Sequence, residues 1–253
     1  MNRDGVAGFA SRGKGAAAVT QLSSYIYNYG GKYLDGGKAV FQSPEALDAI
    51  RFYGRMLGNY GPQGVTSMSW ENVMPVFQAG KVAMWTDASV FYGQIVDPSK
   101  TQIPASDIGV AQLPRGPKGD SPFIVVSWGM AMSAKTKNQA SAQKFLDWAT
   151  NKALAKEGML SNITMARDSA WADKDVRAVM NPGLVETQAH AAKNGYPFDR
   201  PFMSSVGQAR DLIGEVIIES INTKGTSSKL PALAAEKAKA VDELLKADGE
   251  YGL

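Results

Sequence analysis

Stretches with a 3.6-residue apolar period alternate along this chain with short apolar runs, and that order limits it to a mixed helix and strand fold. Residues 16–29 carry Val19, Leu22, Ile26 and Tyr29 three and four apart, and Gly30-Gly31 closes them as a helix C-cap does. Ser43-Pro44-Glu45 supplies an N-cap, a first-turn proline and a first-turn acid, which predicts a helix to about Leu57 with Leu47, Ile50 and Tyr53 on one face. Residues 70–80 read as a short helix in which Pro75 requires a first-turn position or a kink. Residues 138–151 predict a helix that buries Ala142, Phe145, Leu146 and Ala149. Two more helices follow, one over 207–222 with Leu212, Ile213, Val216, Ile217 and Ile221, and one over 231–247 with Leu233, Ala234, Val241, Leu244 and Leu245. The charged sides of these helices read as solvated faces. Between the helices, strands are predicted over 5–10, 81–87, the start of 108–117, and 122–133. No repeat of fixed period is present, and 224–229 is a loop.

Counting residues removes much chemistry. At 253 residues the chain buries roughly three quarters of its unfolded surface and needs no disulfide or metal staple. With no cysteine there is no thiolate zinc site and no thiol nucleophile, and the single His190 leaves little room for a histidine metal site or a Ser/His/Asp triad. No cofactor or metal is expected. Gly13-Lys14-Gly15 and Gly116-Pro117-Lys118-Gly119 lack the spacing of a phosphate loop. Glu215 and Glu219 have the spacing of a carboxylate pair able to cleave a glycosidic bond, but on this helix they are more simply a solvated stripe. A net charge of +3 without a basic cluster gives no footprint for nucleic acid. No apolar run is long enough to span a bilayer, and the first residues hold no apolar export segment, so the chain is either cytoplasmic or lacks its true beginning.

Residues 76–84, Val-Phe-Gln-Ala-Gly-Lys-Val-Ala-Met, resemble the F-x-x-G-K-x-A-M segment of extracellular solute-binding proteins of ABC sugar importers. Further matches follow in the family's order: Ser43-Pro44-Glu45-Ala46-Leu47 upstream, then Ser127-Trp128-Gly129-Met130-Ala131-Met132, the segment 142–150, and 162–171 with Arg167. Within the family the chain looks most similar to sorbitol/mannitol-type binders. The resemblance implies an α/β, periplasmic-binding-protein-like (type II) fold of two lobes. A sugar or sugar alcohol would be held in the cleft between them and delivered to ABC permease membrane subunits, with the protein in the periplasm. It assigns 1–106 to the first part of the C-terminal lobe, 107–150 to an excursion belonging to the N-terminal lobe, and 151–253 to the C-terminal lobe and hinge helices. Most of the N-terminal lobe would then be missing. The excursion would expose apolar surface and favour self-association, and the chain alone would bind its ligand feebly.

A sugar needs aromatic planes for its carbons and fixed charged or amide groups for its hydroxyls. Trp128, followed by Gly129, is placed at the sugar by the resemblance, with a core tryptophan as the alternative. Asp87 ends the strand over 82–85 and offers two hydroxyl acceptors, or else serves a turn or a cap. The resemblance also places a ligand-contacting arginine at Arg167, whose alternative is a surface pair with Asp168 or Asp173. Trp85 and Phe91 are candidate cleft walls, with a core residue in the strand body as the alternative for Trp85; Arg12 and Asn162 are further candidates, and Trp148 and Trp171 are assigned to the core. Ala88-Ser89-Val90 departs from members that carry a stacking aromatic there. Two other readings stay open: a carbohydrate-active enzyme, and the same fold binding a polyamine or another charged solute. The latter wants several cleft acids, of which Asp87 is the one good candidate.

Overall fold

A computed structural model describes residues 2–119 and 128–253. Among the described residues the helices are α1 (Gly15–Asn28), α2 (Pro44–Tyr60), α3 (Trp70–Gln78), α4 (Tyr92–Ile95), α5 (Gln139–Ala149) and α6 (Lys152–Leu160). They continue with α7 (Asp168–Trp171), α8 (Lys174–Val179), α9 (Pro182–Asn194), α10 (Val206–Asn222) and α11 (Leu230–Ala247). Strands β1 (Leu34–Asp35) and β2 (Lys38–Ala39) form an antiparallel hairpin.

The main core is α1, α2, α10 and α11. Leu22 and Ile26 of α1 meet Ile50 and Leu57 of α2, Ile213 and Ile217 of α10, and Leu230 and Val241 of α11, all but fully buried. Each such side chain contributes about 1.5–3 kcal/mol through removal from water. The helices approach closely because small residues stand at the crossings. A side chain on Gly54 would overlap Ser220, whose hydroxyl donates to the Ile50 carbonyl at 2.9 Å, and one on Gly214 would overlap the backbone of Gly15. Asp242 of α11 accepts from the Ala39 backbone N–H at 2.8 Å and so ties the hairpin to the bundle. The hairpin turns through Gly36 and Gly37, both left-handed, after Asp35. That Asp-Gly-Gly signal was legible in the sequence but is absent from the predicted elements.

A second cluster gathers Ala155, Met159, Ala170, Val176, Met180 and Leu184 from α6 to α9. Three of its helices, α6, α8 and α9, are opened by side-chain caps: Asn151 accepts from Leu154 N–H at 2.7 Å, Asp173 from Asp175 N–H at 2.9 Å, and Asn181 from Leu184 N–H at 3.2 Å. Trp171 packs on this cluster and donates from Nε1 to the Met165 carbonyl at 2.7 Å, the core role expected of it. A third, smaller cluster joins Ala7, Ala10, Val73 and Val82 beneath α3.

Several elements differ from the prediction. The strands over 5–10 and 81–87 lie parallel, as bridges at Ala7 with Val82 and Ala10 with Trp85, and Ala83 and Met84 are exposed. Residues 108–117 form no strand; Ile108 is buried and Lys118 N–H donates to the Asn28 carbonyl at 3.0 Å, so the segment runs back along the end of α1. Of the strand over 122–133, residues 122–127 lie outside the described residues and 128–133 form no strand. Pro75 sits past the first turn of α3, which leaves the carbonyl of exposed Glu71 to water. The helix at 139–149 is present, but its apolar stripe is not buried: Phe145 and Trp148 are more than half exposed and lie outside all three clusters. Trp148 is therefore not a core residue. Phe145→Ser and Trp148→Ser should each change unfolding free energy by less than about 0.5 kcal/mol, read from urea midpoints, because neither leaves a cavity.

Three tyrosines are enclosed. Tyr33 donates to the Val19 carbonyl at 2.7 Å, and Tyr53 to the Arg12 carbonyl at 2.7 Å. Burial pushes the Tyr25 hydroxyl up to about 12 and those of Tyr33 and Tyr53 well above the ordinary value. A raised folded-state pKa means that the folded form keeps protons the unfolded chain releases above pH about 10. Stability should hold up to that pH and then fall, each tyrosine withdrawing up to about 1.4 kcal/mol per pH unit. Urea midpoints at pH 8, 10 and 11 check this, and Tyr33→Phe should flatten the alkaline loss.

Candidate functional site

The two parallel segments end side by side, and their ends build the site. Ala83 N–H donates to the Ala7 carbonyl at 2.9 Å, Ala10 N–H to Met84 at 2.8 Å and Thr86 N–H to Ala10 at 3.1 Å. That register brings Ser11 and Arg12 beside Thr86 and Asp87. Arg12 clasps Asp87 with two nitrogens, Nε to Oδ2 at 2.9 Å and Nη2 to Oδ1. Asp87 Oδ1 also accepts from Gln21 Nε2 at 3.2 Å and from Ala88 N–H at 2.8 Å. The Asp87 side chain is 2% exposed and that of Arg12 14%. Four protein donors thus occupy the carboxylate that the sequence offers as a hydroxyl acceptor. Guanidinium Nη1 has no partner among the described residues. The arrangement presents a donor, held rigidly by a buried acid.

Aromatic rings stack next to it. Trp70, the first residue of α3, lies 4.7 Å from Phe91 at 23°, Phe91 lies 5.7 Å from Trp85 at 14°, and Trp85 lies 5.8 Å from Phe77. All four are partly exposed, and Phe77 and Trp85 also pack on the third core cluster, so the stack runs from that cluster to the surface. The structure brings together Trp85 and Phe91, both candidate walls, and adds Trp70, which was not foreseen. Near the start of α3 lies a cavity of about 300 Å³ lined by Lys14, Ala16 and Ala17 from the start of α1 and by Ser69, Glu71 and Asn72. The Ser69 hydroxyl holds the Glu71 carboxyl below its usual range, and Arg12 and Lys14 add to that pull. The volume suits a small molecule.

The other sequence candidates lie apart in their bonding. Among the described residues no hydrogen bond, ion pair or ring contact joins Trp128, Gly129, Asn162 or Arg167 to the Arg12–Asp87 pair. Trp128 is 91% exposed and Gly129 is exposed. Arg167 donates from Nε to the Thr150 carbonyl at 2.6 Å, and Asp173 pairs with Lys156 at 3.1 Å. Asn162 takes a left-handed φ of 60° after α6, and its carbonyl abuts Gly93 of α4, where no Cβ would fit. Its backbone steadies the short helix that follows Phe91. Sequence reasoning missed Gln21, whose signal is a polar side chain in a helix stretch buried on all sides from 18 to 26.

Asp87→Ala should cost about 3 kcal/mol in urea unfolding, because it strands the largely buried guanidinium and Gln21. Arg167→Ala, at an exposed site, should cost under about 1 kcal/mol in the same measurement. Equal losses would mean that the Arg12–Asp87 pair is not a structural anchor.

Comparison with known proteins fits this architecture. The profile of the family described as bacterial extracellular solute-binding protein matches residues 3–156. The mannitol-binding protein of Pseudomonas aeruginosa is 30% identical over 201 residues, covering 79% of this chain and 42% of its own length. An ABC transporter solute-binding protein of Agrobacterium vitis, solved with bound D-mannitol, superposes with a TM-score of 0.79 at 22% identity, over 97% of this chain and 62% of that one. One from Agrobacterium radiobacter, solved with ribitol, gives 0.77 at 23% identity, over 95% and 60%. The chain therefore spans less than two thirds of these relatives' length. The fold is of the type II periplasmic-binding class that the sequence resemblance implied. With more than half of its residues matched by the family profile, the chain belongs to the bacterial extracellular solute-binding proteins.

Proposed function

We propose that this chain is the binding component of an ABC importer, capturing a sugar or sugar alcohol and presenting it to the membrane permease outside the cytoplasmic membrane, in the periplasm. The observation that carries the reading is the Arg12 guanidinium, clasped by buried Asp87 and bordered by the Trp70–Phe91–Trp85 stack. A polyol offers what this surface matches: hydroxyl oxygens that accept from a fixed guanidinium, and C–H faces that lie on aromatic planes. The mannitol-binding relative and the mannitol- and ribitol-bound structures support the same ligand class. Capture would work by population shift, the ligand binding the closed state more tightly than the open one.

The chain would take no chemical step. Glu215, half of the only carboxylate pair singled out for glycosidic cleavage, pairs with Lys237 at 2.6 Å, and Glu219 accepts from the Ser227 hydroxyl at 2.6 Å. Both are committed to the packing of α10. A polyamine is disfavoured because Lys14 lines the cavity with Glu71 as its one acid, and the Asp87 carboxylate is already taken by Arg12.

Thermal unfolding and calorimetric titration of the protein extended to its relatives' length test the reading with D-mannitol, ribitol, maltose, spermidine and amino acids. A polyol or sugar should raise the melting midpoint with concentration, as a ligand selective for the native form must. Trp70→Ala should weaken binding by about tenfold while folding is retained, and Arg12→Met should abolish it. A shift with spermidine alone, or none with any sugar or polyol, would overturn the assignment.

A further inference from the structure

The Arg12–Asp87 device has a counterpart on another side of α1. Arg200 donates to Asp199 from Nε at 2.8 Å and from Nη2, the same two nitrogens that Arg12 uses on Asp87. In both pairs the acid is the more buried partner; the Asp199 side chain is 13% exposed and that of Arg200 38%. In both, α1 supplies a further donor to the acid: Gln21 to Asp87, and Thr20 Oγ1 to Asp199 Oδ2 at 3.4 Å. Ser23 Oγ, from the same helix, donates to the Asp199 carbonyl at 2.8 Å. Thr20 and Gln21 are consecutive, so they point about 100° apart around the helix axis and the two guanidinium groups flank α1 on adjoining sides. Arg210 is in electrostatic reach of both. It donates to the Ala16 carbonyl at 2.7 Å, and its guanidinium is pulled down by burial first and then by Arg200, with Arg12 adding to the effect.

The second pair also has its own rings. Asp199, Pro201 and Met203 point inward, and the residues between them point out. Rings run from Tyr27 of α1 to Tyr196 at 4.1 Å, to Phe198 at 5.6 Å and to Phe202 at 5.4 Å, ending on a side chain 82% exposed. The far end of the segment is fixed too, since Glu250 accepts from Ser204 N–H at 3.0 Å and from its hydroxyl at 2.6 Å. One exposed aromatic would be ordinary. A ring ladder rooted in a buried helix and running beside a clasped guanidinium repeats the chemistry of the first site.

We propose that Phe198, Arg200 and Phe202 form a second ligand-contacting wall. The rings would receive the carbon face of a sugar or polyol, and Arg200 Nη1, without a partner among the described residues, would donate to its hydroxyls. This wall sets how much of the ligand is gripped, and so discriminates among chain lengths and ring sizes. The inference rests on the reading of the protein as a sugar or polyol binder.

Calorimetric titration of the protein extended to its relatives' length, with D-mannitol, ribitol and maltose, separates the two claims. Phe202→Ala touches an exposed ring and leaves the fold intact, so its melting midpoint without ligand should match that of the parent. Its affinity for the preferred ligand should fall by about three- to tenfold, and Phe202→Trp should restore it. Arg200→Met should lose about tenfold or more, and the ranking of the three ligands should change in both weakened variants. If the parent binds and Phe202→Ala and Arg200→Met bind equally well with unchanged ranking, the second wall is wrong and the binding function stands. If the parent binds none of the three, both claims fall.

Discussion

Helix α1 is enclosed on nearly every side yet carries Thr20, Gln21, Ser23 and Asn28 among its buried residues, and the need to bond those groups organises the molecule. An unbonded polar group in such a place costs about 1–3 kcal/mol. Asn28 Nδ2 donates within the helix to the Ser24 carbonyl, the Ser24 hydroxyl has no partner among the described residues, and the others bond to what packs against the helix. Gln21 takes the Asp87 carboxylate, Thr20 and Ser23 take Asp199, and the helix backbone itself accepts from Arg210 at Ala16. Segments around residues 87, 199 and 210, far apart in sequence, are thereby set against one helix. The apolar side of α1 supplies most of the energy of this packing, and its polar groups decide which loops stand where.

Arginine suits both clasps in a way lysine would not. Its planar fork spends two nitrogens on the acid and keeps a third donor in a direction fixed by that clasp, whereas an ammonium at the end of a flexible stem would have no fixed direction. Burying the acid behind the arginine has a second consequence. The carboxylate is desolvated, so its attraction for the guanidinium is less screened, and the pair does not open to water each time the site empties.

The helices that carry the core were legible because their signals are local. Ser43 with Pro44, the glycines after Tyr29, and the spacing of Ile213, Val216 and Ile217 all report on neighbours within a turn or two. The strands were read less well, since pairing partners are remote; Val82 and Trp85 meet Ala7 and Ala10 across more than seventy residues. On α5 the helical period read alone predicts a buried stripe, whereas Phe145 and Trp148 are exposed, in keeping with the apolar surface expected of the 107–150 excursion. Of the candidate site residues, the structure gathers four and leaves Trp128, Gly129, Asn162 and Arg167 elsewhere, and the bonding of Asp87 differs from the expected hydroxyl acceptor. Asp87 was found, as were Arg12, Trp85 and Phe91, but that Asp87 serves Arg12 depends on a register that no local pattern encodes. Trp70 and Gln21 escaped because each looks like an ordinary member of a helix.

Both proposed ligand-contacting surfaces are held by bonds and ring contacts within the protein itself, and this bears on how binding energy would be used. Rings already stacked on one another and guanidinium groups already clasped lose little side-chain freedom on contact, which otherwise costs about 0.5–1.5 kcal/mol for each side chain immobilised. Under the proposed capture role the saving would matter, because only the difference in affinity between open and closed states is available to drive closure. Tyr53 of α2 extends the same logic: by donating to the Arg12 carbonyl it ties the site to the helix next to α1, so the clasp and the bundle core behave as one body. A ligand that engages the clasp therefore acts on the whole bundle and not on a loop alone.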